Sequence, residues 1–453
     1  MDHRSSNFAL TRRGMLAGLA VLAARPSFAL SANPDVVVVG AGAAGIGAAR
    51  KLAALGLSCI VVEADGRIGG RAYTDTTTFG IPFDIGCAWI HAADRNPFYD
   101  MAKQDGFRLH YHDLDLNRLY YGRNLADAKG LKSEHEAEEA IHKYTSKIAR
   151  RRDIPTSRAV PKWTQPFEAA ATYMGPMDMG VDLNNLSTAD YAQSADLNPN
   201  YLVYEGYGTV VANAGTGLPV KLSTPVRKIR YGEGKGVRVE TDAGTIEARA
   251  VIVTVSTGVL AAGSIRFDPE LPDWKQAAIG CVPMGLLAKI PMLVPGDRLG
   301  IKPYENVLVE YPGRQEIYFL AWPWESDLMV GFVGGDFGWQ LSAAGEDAAI
   351  DFAKERLAQT FGSDAPKRVT KALFTKWASN PLTRGAYAAA LPCHYVERER
   401  LGRPLAERVF FAGEALAGPL IQTAGGAFLS GEETAKNVAV TLSSSTLPLR
   451  EGR

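Results

Sequence analysis

The chain has 453 residues, of which 46% are hydrophobic and 22% are charged, a composition typical of globular proteins with two or three domains. Its 49 lysines and arginines balance its 49 aspartates and glutamates, and no basic run is interleaved with aromatic residues, which argues against a nucleic-acid-binding protein. The four cysteines lie far apart with no CxxC pair, so we interpret them as isolated small core residues rather than a metal site or a disulfide framework: Cys59, Cys87, Cys281 and Cys393.

Residues 1–32 are typical of a twin-arginine export signal. Arg12 and Arg13 precede a short apolar run over residues 15–24, and small residues follow where a signal peptidase could cut. A disordered basic leader is the alternative. The run is too short for a permanent anchor, and no other apolar run is long enough to span a bilayer. We therefore expect a protein exported in the folded state to the periplasm, with no stable membrane anchor after cleavage.

The next segments predict a βαβ unit: a β-branched strand over residues 35–39, an alanine-rich helix over 43–55 and a second strand over 58–62. The motif Gly40-x-Gly42-x-x-Gly45 joins the first strand to the helix. Gly40 permits the tight turn, Gly42 lets the backbone approach a pyrophosphate, and Gly45 lets the helix pack on the strand. The helix N-terminus attracts phosphates, so the segment predicts a dinucleotide site.

Glu63 and the loop after it help to identify the dinucleotide. Glu63 ends the second strand, where it can accept hydrogen bonds from a ribose and would repel the 2′-phosphate of NADP. The following loop, "DGRIGGRAYT", supplies Arg67 and Arg71 as candidate phosphate ligands, together with Gly69 and Gly70. A plain NAD domain does not need this loop, which favours FAD. The alternative is a surface loop with solvated arginines.

The middle of the chain is predicted to mix helices and strands. Residues 96–200 are expected to be mostly helical. The acidic run 134–139 and the basic run 143–152 favour a solvated helix stabilised by its dipole over a binding patch. Residues 237–240 and 246–250 predict a hairpin.

Further along, the apolar residues 250–255 predict a strand that returns to the first sheet. Strand-like stretches ("NVLVEY", "EIYFLAW", "LMVGFVGG") and an amphipathic helix over 347–361 come next. Near the C-terminus, "RVFFAGEALAG" predicts a strand that delivers Gly413 and Glu414, followed by a helix over about 425–442. The N-terminus of that helix could face the polar end of a cofactor.

Several of these blocks, in this order, resemble the flavin-containing amine oxidase family, which includes monoamine oxidases, polyamine oxidases and lysine-specific histone demethylases. The matching blocks are "GAGAAGIGAARKL", "EADGRIGGRAYT", "FDIGCAWIH", "VIVTVSTGVL", "MGLLAKI", "KWASNPLTRGAY" and "FFAGEALAGPLIQTAGGAFLSG". The resemblance implies an α/β (α+β mixed) fold with a Rossmann-like FAD-binding domain built from residues 33–95, 205–265 and 385–445. It implies a substrate-binding domain of mixed sheet and helices from 96–204 and 266–384, and leaves 446–453 as a tail.

The resemblance also implies roles for individual residues. Lys289 matches the lysine that holds a water near flavin N5, Trp377 the tryptophan packed by the flavin, and Tyr387 one wall of an aromatic cage. Thr423 stands where monoamine oxidases have a second cage tyrosine and is similar to the polyamine oxidase and demethylase branch. Ala386 stands where covalently flavinylated members carry cysteine, so non-covalent FAD is expected.

Some other side chains near these blocks have two possible interpretations, and some are not expected to contact a ligand. His91 either meets the substrate or satisfies a core hydrogen bond. Trp322 and Trp324 are expected in the core rather than on the pocket wall. Arg95 lies too far along the chain for the carboxylate-binding role found in amino-acid oxidases. Three acids are candidates to receive a second ammonium, with no choice among them: Glu168, Asp178 and Glu205.

The cofactor-binding residues implied by the resemblance form a larger set. They are Gly40, Gly42, Ala43, Ala44, Gly45, Glu63, Ala64, Arg67, Gly69, Gly70, Arg71, Gly86, Cys87, Ala88, Trp89, Val226, Trp377, Gly413, Glu414, Gln422, Thr423 and Ala424. The candidate catalytic residues are Lys289, Tyr387, Trp377, Thr423 and His91, and no metal is expected.

The resemblance implies FAD-dependent oxidative deamination of a primary or secondary amine, of polyamine or aryl-alkylamine type, by hydride transfer to flavin N5. The product is an imine that water hydrolyses to an aldehyde, and oxygen yields hydrogen peroxide. The alternatives are an L-amino-acid oxidase, a desaturase-like flavoprotein, a dehydrogenase with a periplasmic electron acceptor, and a cofactor-bearing protein that binds without turnover. The expected partners are the amine and oxygen or another acceptor, without nucleic acid, and homodimerisation is left open.

Overall fold

A computed structural model describes residues 33–194, 197–232, 234, 236–311 and 315–444. The predicted export signal and the predicted tail lie outside these residues. In the described ranges, no helix combines the length and the apolar character that crossing a membrane requires.

Helices and strands are interspersed along the whole described chain. The helices are α1 (Ala43–Ala54), α2 (Pro97–Gln104), α3 (Ala128–Ala149), α4 (Gln165–Thr172), α5 (Thr188–Gln193), α6 (Tyr207–Ala214), α7 (Thr257–Ala261), α8 (Asp273–Cys281), α9 (Gly335–Ala344), α10 (Glu346–Phe361), α11 (Glu397–Gly402) and α12 (Ala424–Ser444). The strands are β1 (Val36–Val39), β2 (Cys59–Val62), β3 (Thr74–Asp75), β4 (Phe83–Asp84), β5 (Trp89–Ile90), β6 (Leu109–Tyr111), β7 (Arg118–Tyr121), β8 (Asn124–Leu125), β9 (Tyr201–Val203), β10 (Val220–Lys221), β11 (Val226–Arg230), β12 (Val237–Thr241), β13 (Gly244–Ala248), β14 (Ala250–Val253), β15 (Arg266–Asp268), β16 (Met284–Gly285), β17 (Leu287–Leu293), β18 (Asn306–Glu310), β19 (Ile317–Ala321), β20 (Leu328–Gly334), β21 (Lys371–Ala372), β22 (Tyr387–Ala388) and β23 (Val409–Phe411).

A parallel sheet of order β10-β2-β1-β14-β23 forms the first layer of the fold. Its strands come from distant parts of the chain and are almost entirely apolar, because strands covered on both faces bury every side chain. Helices α1 and α12 pack together, and their apolar residues share one core with one face of this sheet. The predicted βαβ unit and the predicted return of a later strand to the first sheet are both confirmed.

A second sheet of order β21-β17-β20-β19-β18-β7-β8 forms the other large layer. Its three central hydrophobic strands match the strand-like stretches of the sequence, and the predicted hairpin is the β12–β13 pair. Strand β7 was not foreseen, because residues 96–200 were expected to be mostly helical. It pairs in parallel with β18 and places the start of the helical region beside the second sheet.

Helix α3 differs from the solvated helix expected from its charge runs. It begins at Ala128, so the acidic residues lie in its middle rather than in its first turn, where they would complement the dipole. Glu134 is only 2% exposed and lies on the same face as Ala137, Ile141 and Thr145. The spacing of these four residues is that of one helical face, which a count of charges does not reveal. The predicted solvated helix is therefore wrong for the inner face of α3.

The cysteines also depart in one respect from the expected core positions. Cys393 is exposed in a surface turn, and its thiol donates to the backbone oxygen of Asp153. Cys59, Cys87 and Cys281 are half-buried.

Replacing Glu134 by glutamine should stabilise the protein at alkaline pH. Burial raises the pKa of Glu134 from 4.5 to about 8, and its Oε1 has no hydrogen-bond partner among the described residues. Between these two pKa values, Glu134 is ionised in the unfolded chain but protonated in the folded protein. The free energy of unfolding therefore falls as the pH rises through this range. We expect Glu134→Gln to raise the free energy of unfolding by on the order of 1–3 kcal/mol at pH 8 and to leave it unchanged at pH 4.5.

Chemical denaturation at the two pH values measures this difference. Glu136→Gln, on the exposed side of the same helix, is the matched control and should shift neither value appreciably. An equal change for Glu134→Gln at both pH values would contradict the assignment.

Candidate active site

One large cavity opens where the parallel strands of the first sheet end. It is lined by Val39 and Val62, the last residues of β1 and β2, and by Thr254 and Gly413, which follow β14 and β23. Ligands of open parallel sheets bind at this edge. Its volume of about 1100 Å³ exceeds the range of about 300–1,000 Å³ usual for drug-sized ligands. The cavity continues to the second sheet, so it has room for a large ligand and a small one.

Nearly all the residues singled out in the sequence lie on the wall of this cavity. They are Gly40, Gly42, Ala43, Ala44, Glu63, Ala64, Arg67, Gly69, Gly70, Arg71, Gly86, Cys87, Ala88, Trp89, His91, Val226, Lys289, Trp377, Tyr387, Gly413, Glu414, Gln422, Thr423 and Ala424. Gly45 does not line it.

The glycine motif brings the N-terminus of α1 to the cavity. Gly40 has a left-handed φ of 105°, and a Cβ on Gly45 would lie 1.9 Å from the backbone oxygen of Gly40. Only glycine therefore lets α1 pack this closely on the end of β1. No side chain caps α1 at Gly42, so its first-turn N–H groups are available to an anionic ligand.

Glu63 fixes the turn beside this helix. Its carboxylate accepts hydrogen bonds from the backbone N–H groups of Ala41 (2.6 Å) and Asp65 (2.8 Å). Burial raises the pKa of Glu63, and the two N–H donors oppose that rise. A carboxylate can accept more hydrogen bonds than these two, so capacity remains for a hydroxyl group in the cavity.

The two arginines of the second glycine-rich loop are held by the protein rather than solvated. Arg67 donates to the backbone oxygen of Gly70 (2.8 Å) and lies over the ring of Tyr73. Arg71 donates to Glu414 (2.9 Å) and to the backbone oxygen of Ala386 (2.7 Å). The Arg71–Glu414 ion pair thus ties this loop to the C-terminal motif.

Lys289 lies on β17 with its side chain only 6% exposed. Its Nζ donates to the backbone oxygens of Asp84 (2.7 Å) and Gly86 (2.5 Å). Burial lowers the pKa of Lys289 to about 8, although the nearby Asp84 carboxylate opposes the shift. The alternative of a strand with a solvated lysine is wrong. An ammonium has three donors, so one remains for the cavity that Lys289 lines.

Aromatic side chains line the same cavity as Lys289. Tyr387 donates from its hydroxyl to the backbone oxygen of Asp178 (2.9 Å), and Trp377 donates from Nε1 to that of Ile85 (3.1 Å). Both rings are therefore fixed with their polar atoms satisfied. Ala386 presents only a methyl group to the cavity, where a cysteine would be needed for a covalent bond to a cofactor.

Two of the polar candidates already have partners. The Thr423 hydroxyl accepts from the N–H of Gly426 (2.9 Å) and donates to the backbone oxygen of Leu420 (2.8 Å), so it caps the N-terminus of α12. His91 is hydrogen-bonded through Nδ1 to Asn200 (2.7 Å), as one of its two interpretations requires. It also lines the cavity, and its contact with a substrate stays a prediction. Burial lowers the pKa of His91 and favours the neutral ring.

Of the three acids proposed to receive a second ammonium, one lines the cavity and two do not. Asp178 lies in a π-helical turn after α4 and opens onto the cavity, while the surrounding protein desolvates it and raises its pKa to about 6. Glu168 lies outside the lining, and Glu205 forms an ion pair with Arg108 (2.8 Å) away from it. Glu138 of α3, which sequence reasoning missed, lines the same end.

Burial raises the pKa of Glu138 to about 7, and the Asp178 carboxylate adds to the rise. The helical spacing of Glu138 from Glu134 and Ile141 was the signal that could have placed it on the inner face.

Three further side chains lie away from the cavity wall, as expected. Trp322 is fully buried in the core of the second sheet, and Trp324 packs edge-on against Tyr304. Arg95 lies outside the lining, beside Asp94 at 3.4 Å.

Comparison with known proteins gives consistent matches. The family model described as flavin containing amine oxidoreductase matches residues 43–156 and 188–439. The chain is 30% identical over 441 residues to the probable polyamine oxidase 4 of Arabidopsis thaliana, which covers 89% of this chain and 87% of that protein. It is 24% identical over 443 residues to the lysine-specific histone demethylase 2 of Homo sapiens, which covers 90% of this chain and 53% of that protein.

A solved structure of wild-type putrescine oxidase bound to putrescine is similar in fold. The TM-score is 0.74 over 90% of this chain and 99% of that chain, at 20% identity.

Replacing Gly45 by alanine should disrupt the dinucleotide site, because the new Cβ would collide with the backbone oxygen of Gly40 at 1.9 Å. We expect the flavin affinity of purified Gly45→Ala to fall by on the order of tenfold or more, the equivalent of about 1.4 kcal/mol. Visible absorbance per protein measures bound flavin. Gly280→Ala, in helix α8 with nothing within 4 Å of the new Cβ, is the control. Full flavin occupancy and affinity in Gly45→Ala would contradict the steric argument.

Proposed function

Since the chain belongs to the family of flavin-containing amine oxidoreductases and is an FAD-dependent enzyme, we propose that it oxidises a diamine or polyamine. The observation that carries this proposal is the pair of carboxyl groups, Asp178 and Glu138, on the wall of the cavity that also holds Tyr387 and Lys289. The names of two similar proteins, a polyamine oxidase and a putrescine oxidase, support it.

The residues of the first sheet fit FAD. The uncapped N-terminus of α1 at Gly42 suits the pyrophosphate, and Glu63 suits the ribose of the adenosine half. Gly413 and the Arg71–Glu414 pair line the wall toward the second sheet, where Trp377 offers an apolar face. FAD, when bound, supplies the two-electron acceptor that amine oxidation requires.

The residues around the amine would bind it, orient it and keep water away. The fixed rings of Tyr387 and Trp377 supply apolar area for the carbon chain. Neutral His91 adds no positive charge that would repel an amine. Lys289, with a pKa lowered to about 8 and one donor not used by the protein, is placed to hold a water or move a proton at Nζ.

The two amino groups of a diamine need different surroundings at the two ends of this pocket. The amine that reacts must be neutral, whereas the distal amine stays an ammonium and needs a negative partner in a desolvated place. Asp178 is held close to the aromatic wall, since its backbone oxygen accepts from Tyr387. Its carboxylate, with that of Glu138, would receive the distal ammonium.

The same charges disfavour an amino-acid substrate, because Asp178 and Glu138 would repel its carboxylate. Arg71 is already engaged by Glu414, and Arg95 lies outside the cavity lining. We further propose that oxygen is the electron acceptor and that hydrogen peroxide is the product. Export to the periplasm is also part of the proposal, and it rests on the sequence of residues 1–32 alone.

Anaerobic mixing of the yellow holoenzyme with single compounds tests the substrate class. Diamines and polyamines should bleach the flavin, and air should restore the colour. Bleaching by α-amino acids alone would overturn the proposal, and slow recovery in air would point to an acceptor other than oxygen.

Lys289→Met should slow flavin turnover while FAD stays bound, because the variant keeps the volume of the side chain but loses its proton-carrying Nζ. We expect reoxidation of the reduced enzyme by oxygen to slow on the order of 10²-fold. Stopped-flow absorbance measures this rate, and Lys302→Met, at an exposed position, is the control. A normal rate in Lys289→Met would refute the role of the lysine.

Asp178→Asn and Glu138→Gln should each raise KM for diamines by on the order of tenfold, the loss of about 1.4 kcal/mol of ionic attraction. KM for an alkyl monoamine of similar length should stay nearly unchanged. With pKa values near 6 and 7, both carboxyl groups protonate as the pH falls, so the wild-type preference for diamines should weaken below pH 6. Glu139→Gln, on the exposed side of α3, is the matched control. Equal changes for monoamines and diamines would contradict a distal ammonium site.

A further inference from the structure

The C-terminal half of α3 and the segment after it carry a dense group of cations, which we call the basic face. It consists of Lys143, Lys147, Arg150, Arg151, Arg152, Arg158 and Lys162, all of them exposed. The first four follow the spacing i, i+4, i+7 and i+8 and so lie on one side of the helix.

No cation of the basic face forms an ion pair with another described residue. Elsewhere on the surface, arginines such as Arg227 and Arg238 are matched by acids at 2.7 Å and 3.0 Å. The helix dipole accounts for Lys147 in the last turn, but it does not extend to the cations beyond the end of α3.

The helix cannot turn these cations inward. Its opposite side, with Ala137, Ile141 and Thr145, is buried against the helical region. The cations on α3 are therefore held on its outer side.

Large aromatic side chains accompany the cations, so the expectation that no basic run is interleaved with aromatic residues is wrong for this segment. Tyr144 is 44% exposed and Trp163 is 46% exposed. Val160 and Phe167, which bracket the loop of Trp163, belong to the same apolar cluster as Ile141 of α3, so this loop lies beside the helix. Tyrosine and tryptophan with basic neighbours are the residues that favour the boundary between lipid headgroups and acyl chains.

We propose that the basic face, with Tyr144 and Trp163, docks on an anionic lipid bilayer. Charge complementarity selects a polyanionic surface, and the exposed aromatic rings select one that offers an apolar layer under its charges. A nucleic-acid duplex is less well matched, because its phosphates offer the charge but no apolar layer for Tyr144 and Trp163 to enter. The attachment is peripheral and salt-sensitive, because exposed charges are screened within a Debye length.

Docking in this way has a consequence that rests on the proposed function. The inner side of the same helix carries Glu138 to the cavity, so α3 would hold the substrate end of the enzyme close to the bilayer. Cationic amines concentrate at anionic surfaces, so the enzyme would work where its substrate is enriched.

Co-sedimentation of the holoenzyme with vesicles tests the proposal. We expect binding to vesicles of phosphatidylcholine with an added fraction of phosphatidylglycerol at low salt, and loss of binding in pure phosphatidylcholine or at high salt. The triple variant Lys143→Gln, Lys147→Gln, Arg151→Gln should bind on the order of tenfold more weakly, and Trp163→Ala several-fold more weakly. The matched control Lys129→Gln, Lys221→Gln, Lys302→Gln, at exposed cations elsewhere, should bind as the wild type does.

Amine oxidation in free solution should be unchanged in both triple variants, which shows that they are folded and separates this proposal from the proposed function. Absence of wild-type binding to the anionic vesicles would overturn the proposal, and so would equal losses in the two triple variants. Binding to duplex DNA but not to vesicles would assign the basic face to a nucleic acid instead.

Discussion

The architecture depends on the close approach of backbones at glycines. Gly45 brings α1 against the end of β1, and a Cβ on Gly47 or Gly431 would lie 2.2 Å or 2.0 Å from a backbone oxygen of the neighbouring helix. Helices α1 and α12 can therefore pack backbone to backbone beside the sheet. The N-termini of both helices then point at one cavity, so the partial positive charges of two dipoles act on the same ligand.

Charged groups line the cavity along its whole length. Arg67 and Arg71 lie on the side of the first sheet, together with Glu63 and Glu414. Lys289 reaches the cavity from β17 of the second sheet, and Asp178 and Glu138 lie on the side of the helical region. Buried charges are costly without partners, and the cations have theirs in backbone oxygens and in Glu414. Neither acid forms an ion pair within the described part of the chain, which leaves the charge of both available to a cationic ligand. A dinucleotide anion and an amine cation are thus both matched within one cavity.

Helix α3 contributes residues both to the cavity and to the outer surface. Its inner side contributes the buried Glu134 and the cavity residue Glu138, and its outer side carries the basic face. The apolar contacts of Ile141 hold the two sides in fixed orientations. The stability of the inner side decreases as its carboxyl groups ionise, so this helix couples the electrostatics of the pocket to the stability of the fold.

The sequence by itself determined the βαβ unit, the returning strand and the hairpin, because these follow from the periodicity of short segments and from local glycine geometry. The choice of FAD over NAD came from the arginine-bearing loop after Glu63 and from the resemblance of the matched blocks to the family. The matched blocks also located most of the cavity wall. Only the tertiary structure decided the environment of Lys289, the ion pair of Arg71 with Glu414 across 343 residues, and the position of Asp178, but not Glu168 or Glu205, on the cavity wall. The sequence pattern likewise did not predict strand β7 or the buried inner face of α3. Burial and long-range pairing set these outcomes, since the charge of a side chain does not specify which distant elements will enclose it.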